Sequence, residues 1–95
     1  MQTFYLHIKS ERRYIKINFS DILFIEGLKD YSILQLEGQR VITKMNLKNI
    51  HEQLPAKQFL RINKSYIVNT SRIDSFDTND IFIKSYEIGI RSEER

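Results

Sequence analysis

The sequence predicts an all-β domain with one short helix, and three observations carry that prediction. Apolar and polar residues alternate at period two through most of the 95 residues, as in sheets with one covered face. Only one stretch, 46–54, spaces its apolar residues as a helix does. Glycine and proline are scarce, three and one, and no Ser- or Gly-rich linker interrupts the chain, so a single domain spans 1–95.

Each element follows from the local pattern. Phe4, Leu6 and Ile8 fall on one strand face, with Tyr5, His7 and Lys9 on the other; Ile15, Ile17 and Phe19 repeat the pattern after a charged turn at 10–13. These two strands predict a hairpin. The apolar run at 22–25 reads as a strand covered on both faces, and 26–30 as a polar, glycine-bearing connection. Strand character resumes at 31–36, turns tightly at Glu37-Gly38-Gln39 and returns over 40–43. In the helix, Leu47, Ile50 and Leu54 recur at helical spacing, Asn46 can cap the start and Pro55 stops the end. Further strands follow at 59–62, 66–69, 73–76, 81–83 and 88–90, for a total of nine or ten, with a frayed end at 92–95.

Composition narrows the function. A hydrophobic fraction of 41% is enough to bury one core. Without cysteine there is no disulfide framework, thiolate zinc site or thiol chemistry, which suits a reducing cytoplasm. No run is long enough to span a bilayer, and the N-terminus lacks a signal-peptide pattern, so the reading is cytoplasmic with no membrane partner. His7 and His51 are far apart and no Gly-rich phosphate loop is present, so neither an enzyme nor a cofactor is expected. Asp74, Asp77 and Asp80 lack the spacing of a calcium loop and read as a turn, so no metal is expected. Charge is more informative. From 38 to 73 there are seven basic residues, Arg40, Lys44, Lys48, Lys57, Arg61, Lys64 and Arg72, against one acid, Glu52. That local excess of cations suits a polyanion.

The order of motifs then resembles a known family. Asp21-Ile-Leu-Phe-Ile-Glu26, Tyr31-Ser-Ile-Leu-Gln-Leu36, the helix Leu47-Lys-Asn-Ile-His-Glu-Gln-Leu54, and above all Phe59-Leu-Arg-Ile-Asn-Lys-Ser-Tyr-Ile-Val-Asn69 are similar to the LytTR DNA-binding domain of bacterial response regulators. The resemblance covers about residues 4–91. It implies an elongated arrangement of short-stranded, mainly antiparallel sheets with a small helix. Ser65 and Asn69, at strand ends, are expected to bond local backbone, and Phe59, Ile62, Ile67 and Val68 to lie in the core.

The resemblance also implies a mechanism: loops between strands, rather than a recognition helix, enter the major groove of duplex DNA. Carried over residue by residue, base contacts fall on Tyr31, Lys64 and Arg91; lysine and arginine can donate to guanine, and tyrosine can pack on a thymine methyl. Lys29, Lys44, Lys48, Arg61 and Arg72 are the candidates for phosphate contacts. The family often has histidine where this chain has Asn63, and an aromatic shortly after Arg91 where this chain has Ser92, Glu93 and Glu94. The implied role is transcriptional regulation, as a stand-alone regulator or the output half of a two-component response regulator whose receiver domain lies outside this chain. The expected partner is duplex DNA with paired direct repeats, bound by a homodimer. Two other readings remain: a single-strand binder of the OB type stacking bases on Tyr5, Tyr14, Tyr31 or Tyr66, or a protein-interaction module that binds no DNA.

Overall fold

A computed structural model of the chain describes residues 3–91. Ten strands and one α-helix follow in order: β1 Tyr5–Ser10, β2 Arg13–Asn18, β3 Ile22–Gly27, β4 Ser32–Leu36, β5 Gln39–Thr43, α1 Leu47–Glu52, β6 Phe59–Arg61, β7 Tyr66–Asn69, β8 Ser75–Phe76, β9 Asp80–Ile83 and β10 Tyr86–Gly89. Short 3-10 turns at Phe19–Asp21 and Thr70–Arg72 complete it. The strands form three antiparallel sheets: a β1–β2 hairpin, a five-stranded sheet in the order β5-β4-β3-β7-β6, and a three-stranded sheet in the order β10-β9-β8. The body measures 38 × 32 × 24 Å, a moderate elongation.

The five-stranded sheet is the middle layer of three. On one side Leu6, Ile8 and Ile17 of the hairpin and Leu47, Ile50 and Leu54 of the helix region pack against Ile25, Leu34, Phe59 and Ile67. On the other, Leu23, Phe24 and Val68 meet Ile81, Ile83 and Ile88 of the three-stranded sheet. Being covered twice explains why residues 22–25 are apolar without alternation. A register shift between Ile22 and Phe24 is a bulge, and it turns Ile22 and Ile25, three apart, toward the same layer. Each fully buried aliphatic here contributes about 1.5–3 kcal/mol by leaving water.

Local rules account for the ends. Asn46 accepts a 2.8 Å hydrogen bond from Asn49 N and so caps α1. Gly38 takes a φ of +84°, a conformation that glycine adopts without steric cost in the β4–β5 turn. The helix ends at Glu52, and Leu54 stays buried past its last turn. The strand expected over 73–76 shortens to Ser75–Phe76, because Asn69 accepts from Ser71 N at 3.0 Å and coils 70–72 into a 3-10 turn. The other half of the Asn69 amide is not local: Nδ2 donates to Ile22 O at 2.8 Å and Phe19 O at 3.3 Å, a fully buried cross-link to the start of β3. Phe4, expected on the face of Leu6 and Ile8, lies before the first strand and is 68% exposed. The fraying expected at 92–95 lies outside the described residues.

Candidate nucleic-acid interface

Strand register brings several loops to one end of the five-stranded sheet. Gly27 pairs with Ser32, Ser32 with Thr43, and Glu26 with Tyr66, so the connections 28–31, 44–46 and 62–65 all open on the same side. Gly27 N donates to Ser65 O at 2.7 Å and ties the first of these loops to the last. Ser32 Oγ donates to Met45 O at 2.8 Å, holding the chain that leads into α1 at this end. Leu47 packs so closely that a β-carbon on Gly27 would lie 3.1 Å from its side chain. Tyr31, Lys64 and Arg91 are exposed here, as are Lys29, Lys44 and Lys48.

Asn63 holds two of these elements together. Its Nδ2 donates to Gly89 O at 3.1 Å and Ile90 O at 2.9 Å, while its Oδ1 accepts from Ser65 N at 2.7 Å and Tyr66 N at 2.9 Å. One amide thus fastens the Lys64 loop to the backbone just before Arg91. Its hydrogen-bonding capacity is taken up by backbone rather than offered to a base. The only hint in the sequence was its place inside the 59–69 motif.

Arg61 also turns inward to the loop. Its Nε donates to Asn63 O at 3.1 Å and Nη2 to Lys64 O at 2.9 Å, so the guanidinium caps carbonyls flanking Lys64 while remaining exposed. Tyr66 sits behind, its hydroxyl donating to Glu26 Oε2 at 3.2 Å, and burial followed by the nearby Glu26 charge pushes its pKa up. The proton is therefore held on the phenol.

Arg72 lies apart. It follows β7 at the opposite end of the sheet, half-buried, with Nη2 3.1 Å from Glu37 Oε1. Lys84 Nζ lies 2.7 Å from the other oxygen of the same carboxylate. Bonds from Lys84, then Arg72, hold the Glu37 carboxyl below the usual range.

One margin of the loop end is acidic. The 77–80 turn opens there, because Gly89 pairs with Asp80 and Ile90 N donates to Asn79 O at 2.9 Å. Asp77 Oδ1 accepts from Asn79 N and Asp80 N, both at 2.8 Å, and these bonds lower its pKa. Asp77 and Asp80 thus belong to the expected turn, whereas Asp74 stands apart from it, its Oδ2 accepting from Lys84 N at 2.7 Å. His51 Nε2 lies 3.3 Å from Phe59 O and packs the helix flank against β6, and His7 stacks edge-on to Tyr5 at 5.5 Å. No helix among the described residues is long and apolar enough to cross a membrane.

The model of the LytTr DNA-binding domain family matches residues 12–93. Among solved structures, the chain is similar to the LytTr DNA-binding domain of a Bacillus cereus protein described as a methyl-accepting/DNA response regulator. The TM-score is 0.73 at 18% identity, covering 94% of this chain and 89% of that one. No curated protein matches significantly.

Proposed function

The chain belongs to the LytTr DNA-binding domain family, and from that premise we propose that it binds duplex DNA sequence-specifically as a transcriptional regulator, with loops rather than a helix in the major groove. In this reading Tyr31, Lys64 and Arg91 contact base edges, and Lys29, Lys44 and Lys48 contact phosphates. Arg61 acts on the same end by capping the Lys64 loop, whereas Arg72, paired to Glu37, stands outside the contact.

The observation that carries the reading is the Asn63 amide, whose bonds to Gly89 and Ile90 fix the Lys64 loop against the Arg91 backbone. Base readout needs donors at fixed spacing, and a loop bonded to a sheet edge supplies that better than a mobile one. Among the described residues the one α-helix spans six residues, about 9 Å at 1.5 Å per residue, too short to read a groove alone. The lysines along the same end add sequence-independent attraction that falls with salt.

The chain has no catalytic role in this reading. It works in the cytoplasm as the output unit of a two-component response regulator, with two copies on paired direct repeats and a covalently linked receiver domain promoting their pairing. Selection from a random duplex library, with a single-stranded control and a salt titration of the best binder, tests it. Recovery of a duplex motif in two direct copies is the expected result. Weak, salt-sensitive binding to any DNA, or a preference for single strands, would overturn it.

A further inference from the structure

Resting on the duplex reading above, we infer that the tip of the β1–β2 hairpin, through Arg12 and Arg13, grips the phosphates of duplex DNA that flank the base-read site. Across the loop end the order runs from the β6–β7 loop with Lys64, past the β3–β4 loop with Lys29, to Lys44 after β5. The hairpin continues that line. Ser10 Oγ donates to Ile42 O and Thr43 Oγ1 to Lys9 O, both at 2.7 Å, so the tip is fastened beside Lys44. An open groove of about 700 Å³ lies between them, lined by Lys9, Glu11 and Lys44 together with Ile42 and Met45.

Charge favours phosphate as the occupant. Lys9, Arg12, Arg13 and Lys16 face a single hairpin acid, Glu11. All four cations are exposed, and among the described residues no ion pair joins any of them to an acid. Lys9 Nζ lies 5.9 Å from the Tyr14 ring centroid and Lys16 Nζ 4.4 Å from that of Tyr5, so both ammoniums are held over aromatic faces on the outer side of the hairpin. The far margin of the loop end carries Asp77 and Asp80 and repels phosphate. A duplex seated on Lys64 and Arg91 is thereby biased away from the three-stranded sheet and toward the hairpin. From β7 to β5 is three strand spacings, roughly 14 Å. The row of loops on this sheet, from Lys64 to Lys44, therefore covers less than half of the ~34 Å helical repeat, and the hairpin meets backbone beyond it.

The test uses the whole chain and two duplexes: the selected site alone, and the same site extended by about ten base pairs on each side, one helical turn. The unaltered protein should bind the extended duplex at least several-fold more tightly. The double variant Arg12→Gln/Arg13→Gln should lose most of that gain and lower the salt slope by roughly two units, while keeping the same preferred sequence. Arg12→Lys/Arg13→Lys should keep both gain and slope, since a phosphate contact needs charge more than a guanidinium fork. An unchanged slope and an unchanged gain in the glutamine variant, with a normal melting curve, overturn the inference and leave the hairpin for a partner other than DNA. Absence of any sequence preference in the unaltered protein instead defeats the base-reading proposal, and the hairpin is then judged by the slope alone.

Discussion

The two ends of the five-stranded sheet differ in which of their cations are paired. At the loop end Lys29, Lys44 and Lys48 stand in solvent, and among the described residues no ion pair ties them to an acid. At the other end Arg72 and Lys84 share the two oxygens of Glu37, at 3.1 and 2.7 Å. Charge along the sequence does not show this division. The basic segment 38–73 includes Arg72 and Arg40, which lie toward the neutralised end, and leaves out Lys29 and Arg91 on the loop end. Strand register, which samples both parts of the chain, assembles the row of exposed cations at the loop end.

The hardest way to break the contrast is Asn63→Ala. Four backbone groups lose a partner, and the cost is about 2–4 kcal/mol of stability if roughly half is not recovered from water. Calorimetric melting and duplex titration should both register the loss, and Asn63→Asp should restore only the half that accepts from Ser65 and Tyr66. Lys64→Ala comes next, with about 1–3 kcal/mol lost on the preferred site and an altered base preference on reselection. Lys48→Ala sharpens the distinction between reading and steering: affinity for all duplexes should fall evenly, with a salt slope lower by roughly one unit. Were Lys64→Ala and Lys48→Ala to behave alike, the division into base and phosphate contacts would fail. Arg72→Ala probes the neutralised end and should leave the salt slope unchanged within error.

The smallest effect is one of pH. The Glu37 carboxyl is held low by Lys84 and Arg72, so its contribution is present above the ordinary carboxylate range and is lost as pH falls through the lowered value. Glu37→Gln should therefore lower stability slightly above the ordinary carboxylate range and flatten the acid limb of the curve; Glu37 and Lys84 are exposed enough for salt to weaken the effect.

Much of the fold was legible because strands were short and their alternation clean. Ile15 and Ile17, Leu34 and Leu36, and Val41 read directly as covered positions, and Gly38 marked its turn. The bulge at the start of β3 was not legible, since four apolar residues in a row fit either face until the register is known. The role of Asn63 was hidden for another reason. Its Nδ2 partners, Gly89 and Ile90, are 26 and 27 residues away, and they are carbonyls, which carry no side-chain signature. Asn69 behaves likewise, with local and distant bonds on one amide. The family motif marked both positions; only topology says what they hold.

Amide shift mapping of the isotope-labelled chain during titration with its selected duplex asks most directly which end meets DNA. The changes should concentrate at 28–31, 44–48, 63–65 and 90–91, with a second group at the hairpin tip, while 37–40 and 70–72 stay still. Shifts centred on Glu37 and Arg72, with Lys64 and Arg91 unmoved, would contradict the assignment of the loop end as the DNA-reading surface.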